Sequence, residues 1–181
     1  SGKSEVRRYM DHVDPVVCRR DFRMGPTVQL DDFPYVHFLL CVDDVLEELG
    51  KPRLSYPSRS KPMLDLRDWG TLSRMVSEDY RDLCNLKKTE TDDPVGLLFD
   101  RLDKAAGAAG APVRFATLDA ETRATVSGRV REEAEGVIAG KNAAIPDSLE
   151  GKTIIIEFAR GGPDGATMPL DPPVGYRYSL S

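Results

Sequence analysis

Residues 31–50, DDFPYVHFLLCVDDVLEELG, can be read at both ends and on both faces. Pro34 suits a first helical turn, Asp31 or Asp32 can cap it, and Gly50 supplies a left-handed stop. At about 100° per residue, Tyr35, Phe38, Leu39, Val42, Val45, Leu46 and Leu49 gather on one apolar face. His37, Cys41, Asp44 and Glu48 form a narrow polar stripe on the other side. The spacing predicts a helix over 34–49 that anchors to a core and shows four ligand-capable groups to its surroundings.

Working outward, VVCRRDF (16–22) and TVQL (27–30) flank Met24-Gly25-Pro26 and read as a hairpin or two short extended pieces. Residues 4–14 read as a short helix with Ser4 as its cap. After the 34–49 helix, KPRLSYPSRSKP (51–62) carries three prolines, three serines and four cations with no acid, so it is irregular and positively charged. A second helix is expected over 71–86, with Leu72, Val76, Asp79 and Leu83 on its central stripe and Met75, Tyr80 and Leu86 beside it. Asp93-Pro94 opens a third, with Val95, Leu98, Phe99 and Leu102 inward. It runs into AAGAAGAP (105–112), either a close-packed small-residue end or a hinge.

VRFATL (113–118) reads as a strand. Asp119 caps a fourth helix that Gly140 closes, with Val126, Val130, Ala134 and Val137 inward and the pairs Arg129–Glu133 and Arg131–Glu135 outward. TIIIEFAR (153–160) is apolar on both faces, the composition of a central, buried strand. GGPDG (161–165) is a turn, and ATMPL and GYRYSL return as edge strands beside Pro169, Pro172 and Pro173. Three helices in succession argue against regular βαβ alternation. The expected fold is α+β, about four helices on one face of a mixed, mainly antiparallel sheet. The expected organisation is one domain over 1–181, excised from a longer chain, with 105–112 as the candidate internal hinge.

The chain of 181 residues has a net charge of −5 and is 40% hydrophobic and 30% charged, the profile of a soluble globular protein and not of a dedicated nucleic-acid binder. Cysteines 18, 41 and 84 are odd in number and lack a CxxC pair, so a disulfide framework is not expected and an intracellular setting, cytoplasmic or nuclear, is. No apolar run approaches the length of a membrane span, and the first residues lack the apolar core of a signal peptide.

Candidate chemistry is sparse. His37 and Cys41 stand one helical turn apart, the spacing of a thiol–imidazole pair or two metal ligands, with Asp44 a turn beyond. A straight stripe cannot wrap one ion and His12 with Asp14 is the only other such cluster, so no metal and no cofactor is expected. Asp79 sits in the middle of an apolar stripe. It lies at the rim, is buried against an arginine such as Arg19, Arg20 or Arg114, or acts as a catalytic acid or base. No GxxxxGK[ST], GxGxxG, GxSxG or HExxH occurs, and Gly151-Lys152-Thr153 precedes a strand where a phosphate loop would open a helix.

The leading expectation is therefore a non-catalytic, regulatory interaction domain. It docks an acidic protein partner through Lys51, Arg53, Tyr56, Arg59 and Lys61 on the Pro-rich loop. The alternatives are a small hydrolase or transferase using His37 and Cys41 or Asp79, and a nucleic-acid module using the 51–62 loop.

Overall fold

A computed structural model describes residues 9, 10 and 12–158. Among them are six α-helices and two strands: α1 Pro15–Val17, β1 Thr27–Asp31, α2 Phe33–Glu48, α3 Asp68–Cys84, α4 Pro94–Ala109, α5 Ala120–Arg129, α6 Arg131–Ala143 and β2 Thr153–Glu157. The strands are parallel and in register from Thr27 opposite Thr153 to Asp31 opposite Glu157. This overturns the mainly antiparallel sheet. Parallel neighbours require a long crossover, and here α2 to α6 make it.

The apolar face of α2 lies as expected, with Phe38 and Val42 fully buried and Tyr35, Leu39, Val45 and Leu46 close to it. Val36, Leu40 and Asp43 are buried as well, so the helix is enclosed on most of its circumference, while Leu49, at its C-cap, is exposed. Gly50 takes the left-handed conformation at φ 68°, and the Lys51 N–H closes onto the Leu46 carbonyl at 2.8 Å. Phe99 of α4 stacks on Phe115 with ring centroids 4.3 Å apart and touches Phe38 of α2. That aromatic column ties three elements together in the main core. A smaller cluster of Val28, Leu30, Val76, Leu83 and Ile145 seats the strand pair on α3.

Two expected strands are not strands. Residues 15–22 are α1 and a π-turn over Cys18–Phe22, because Asp14 accepts the Val16 N–H at 2.7 Å with Pro15 in the first turn. That cap outweighs the β-branched Val16-Val17 pair. In 113–118, the Asp103 carboxylate takes the N–H groups of Arg114, Phe115 and Ala116 at 2.9, 3.1 and 2.7 Å, which bends the backbone into a 3₁₀ turn.

The fourth expected helix breaks at Val130 into α5 and α6 and runs past Gly140 to Ala143. Arg131 pairs with Glu135 as expected, whereas Arg129 reaches across to Glu48 instead of Glu133. The 105–112 stretch forms the packed end of α4. A Cβ placed on Gly70 of α3 would stand 2.9 Å from that of Ala109, and Gly110 closes the helix at φ 73°. Among the described residues β2 pairs only with β1, so the expected central strand has a single neighbour. The two strands begin where the chains nearly touch: a Cβ on Gly25 would stand 1.7 Å from the Gly151 carbonyl oxygen. The expected turn and strands after residue 160 lie outside the described residues, as does most of the 4–14 helix. Among the described residues, no helix is long and apolar enough to cross a membrane.

Candidate functional site

Parallel strands deliver their last residues to one edge, and here both end in acids. TVQLD brings Asp31, TIIIE brings Glu157, and Asp32 follows at once as the N-cap of α2. Gln29 links the strand ends, its amide donating to Glu157 at 2.8 Å and to Asp31 at 3.4 Å. The other Asp31 oxygen accepts the Phe33 N–H at 3.0 Å, which fixes the carboxylate where β1 turns into α2.

Beside this edge opens a cleft of about 80 Å³ lined by Gln29, Asp31, Pro34, Tyr35, Asp79 and Lys141, among others. Asp79 is buried, so the rim placement is excluded, and its partners are none of the three arginines named from the sequence. Arg101 of α4 donates to it at 2.8 Å, Lys141 of α6 lies 3.2 Å away, and the Tyr35 hydroxyl donates a short hydrogen bond to it. Lys141 also meets Asp82 at 2.5 Å and Thr89 at 3.0 Å, and Arg101 meets Glu78 at 3.2 Å. Burial and the neighbouring Asp79 charge push the Tyr35 hydroxyl well above its ordinary pKa, so it stays a proton donor. Burial opposes the Arg101 charge, but Tyr35 and Asp79 more than offset it and hold the guanidinium above its ordinary value. The cleft wall is thus a fixed array of alternating charges, with every buried cation paired.

The stripe on α2 is partly assembled. Cys41 Sγ lies 3.6 Å from His37 Nε2, and His37 stacks on Phe33. Asp44 does not orient the imidazole; it pairs with Arg53 at 2.8 Å and with Arg59. Burial raises the Cys41 thiol, which works against a thiolate nucleophile. Glu48 is engaged by Arg129. Among the described residues no group of three or more His, Cys, Asp or Glu side chains is placed to hold a metal ion.

The 51–62 loop is organised from beneath by a residue the sequence reading passed over. Asp43, fully buried in α2, accepts the N–H groups of Leu54, Ser55 and Tyr56 at 2.6 to 3.1 Å. Burial raises its pKa, and those three N–H groups oppose the shift. Tyr56 is buried. Arg53 donates to the Tyr56 carbonyl, Asp44 and Glu47, leaving its side chain 10% exposed. Lys51 and Arg59 remain about half exposed, and Lys61 is exposed.

One signal for the strand edge was present in the sequence. Both strands are β-rich runs that stop on an acid. Gly2-Lys3-Ser4, like the discarded 151–153 triad, matches the closing residues of a phosphate loop, and it precedes a segment that is helical at Tyr9 and Met10. Comparison with protein-family models, with curated proteins and with solved structures found no match.

Proposed function

We propose that this protein binds the phosphate chain of a nucleoside triphosphate at the carboxyl edge of β1 and β2 and transfers the terminal phosphoryl group to a small hydroxyl-bearing acceptor. The supporting observation is the parallel register that puts Asp31 and Glu157 opposite one another at that edge. In open sheets of parallel strands, ligands bind outside the carboxyl ends of the strands. Gly2-Lys3-Ser4 matches only the last three residues of a phosphate loop, the motif in which the lysine reaches the β- and γ-phosphates and the hydroxyl holds magnesium.

Phosphoryl transfer asks the protein for positioning and for a group that accepts the proton of the attacking hydroxyl. Asp31 lines the cleft, and the Phe33 N–H fixes its carboxylate. In the proposed step Asp31 takes the acceptor proton, and the acceptor oxygen bonds to the γ-phosphorus. The bridging oxygen leaves with the nucleoside diphosphate. Asp79, Arg101 and Lys141 hold the wall of the acceptor cleft.

Calorimetric titration of the full-length protein with magnesium–ATP tests the reading. Saturable binding is expected, abolished by Lys3→Ala. Asp31→Asn is expected to keep binding and to lower turnover about 10²–10⁴-fold. Absence of binding in the presence of magnesium would overturn it.

Docking of an acidic protein partner is the second reading. The observation that favours it is the Asp43 clamp, which holds the loop in one conformation and so reduces the ordering cost of association.

A further inference from the structure

We infer that the π-turn after α1 carries a binding site for a phosphorylated peptide segment of a partner protein, with Arg19 and Arg23 as the groups that hold the phosphate. A cleft of about 510 Å³ opens there, lined by Pro15, Val16, Arg19, Arg20 and Arg23. Arg20 donates to its neighbour Asp21 twice, at 2.5 and 2.8 Å, and is neutralised by it. Among the described residues no carboxylate pairs with Arg19 or Arg23. The cleft therefore holds two uncompensated guanidiniums on a chain whose net charge is −5. A phosphate monoester carries about −1.5 to −2 at neutral pH, which balances them, and its oxygens suit the guanidinium fork.

The backbone puts an arginine where another residue would be easier to accommodate. Arg23 closes the turn in the left-handed region at φ 58°, its N–H on the Cys18 carbonyl, a conformation that glycine takes without strain. Both π-turns and strained residues gather at functional sites. Arg19 reaches the entrance of the sheet, where a Cβ on Gly151 would stand 3.5 Å from its Nη2. The cleft is thus at the opposite end of the strands from Asp31 and Glu157, and it stands without the phosphoryl-transfer reading. Val16 is 72% exposed and Phe22, beside Arg23, is 50% exposed. They offer apolar contact to the residues that flank a phosphorylated side chain, a contact that a free phosphate ion would leave unused. A concave site suits a group projecting from a chain better than the flat face of a bilayer. A nucleic acid would ask for cations along a longer track, and past Arg23 the chain turns to Met24-Gly25-Pro26.

Fluorescence anisotropy of the full-length protein with the labelled peptide Ala-Leu-phosphoserine-Leu-Ala tests the inference. Saturable binding is expected, at least about tenfold tighter than to the same peptide with serine, and weaker as salt rises. Arg19→Gln and Arg23→Gly are each expected to weaken it by about tenfold or more. Glycine suits the left-handed position, so Arg23→Gly is expected to bind poorly without a fall in melting temperature. Lys87→Gln with Lys88→Gln removes more charge from the exposed chain just past α3, and is expected to leave affinity within about twofold. Equal affinity for the two peptides, unchanged binding in both arginine variants, or the same loss in the lysine pair would overturn the inference. So would arginine-dependent binding of phosphatidylserine vesicles or of oligouridylate that is tighter than that of the phosphopeptide. Competition in which inorganic phosphate binds as tightly as the phosphopeptide would overturn it as well.

Discussion

Arg101 on α4 and Asp79 on α3 meet at 2.8 Å in the interior, with Lys141 of α6 3.2 Å from the same carboxylate oxygen. With the Tyr35 hydroxyl of α2 on its other oxygen, one carboxylate joins four helices, and it does so where two cations are shielded from water. Asp79→Asn keeps the shape of the side chain and leaves both cations under-compensated. The variant is expected to lose about 3–5 kcal/mol of stability. The control Glu78→Gln removes a more exposed partner of Arg101 and is expected to cost less than about 1 kcal/mol. Urea denaturation midpoints at constant slope read both. Equal losses would show that Asp79 is not the hub.

The 51–62 loop divides into cations that build it and cations that face outward. Arg53→Gln removes hydrogen bonds to Tyr56, Asp44 and Glu47, so a stability loss of about 1.5–3 kcal/mol is expected. Neutralising Lys51, Arg59 and Lys61 together is expected to leave the melting temperature nearly unchanged. The same triple change should slow association with polyglutamate at low salt, an effect that fades as ionic strength rises. Unchanged association rates would remove the docking reading.

Asp119 caps α5, and the Thr122 N–H and hydroxyl, followed by Lys51, hold its carboxyl down at about 2. A depressed folded-state value means that its contribution is complete above the ordinary aspartate pKa and is lost as pH falls through the folded one. The stability difference between the wild type and Asp119→Ala is therefore expected to be constant near neutrality and to shrink from about pH 4 down to about pH 2. Denaturation series at stepped pH measure it. A difference that grows on acidification would contradict the cap.

Leu86 ends α3 in the left-handed region at φ 51° and is exposed, while the Lys87 N–H closes onto the Asp82 carbonyl at 2.8 Å. Glycine occupies that conformation without the Cβ clash. Leu86→Gly is expected to raise stability by about 0.5–1 kcal/mol, the relief of strain exceeding the added freedom of the unfolded chain. A loss on thermal unfolding would mean that the leucine makes contacts that outweigh its backbone strain.

Local signals carried the helices well. Asp93-Pro94 and Asp119 start α4 and α5 as read, and the caps are made by side-chain oxygens on Gly96 and Thr122. The periodicity of α2 placed its face because that pattern depends on residues within two turns of one another. Strand pairing was illegible for the opposite reason: whether TVQL lies beside TIII, and in which direction, depends on everything between them. The misread strand at 113–118 has the same origin, since Asp103 acts from the preceding helix. Asp79 was recognisable as anomalous, but its partners Arg101 and Lys141 are 22 and 62 positions away and no spacing rule names them. Asp43 was hidden by its own helix, whose enclosure on nearly every side no single face predicts.

The contact between Gly25 and Gly151 has a consequence at the opposite end of the strands. With no room for a methyl group where β1 and β2 enter the sheet, the glycine pair acts as a zero-length spacer, and every later residue pair is counted from it. Gly25→Ala would wedge that entrance open. Six residues later, the misalignment would appear as a changed separation between Asp31 and Glu157. The side chains that meet at the exit of the sheet are thus aligned by the absence of one at its entrance.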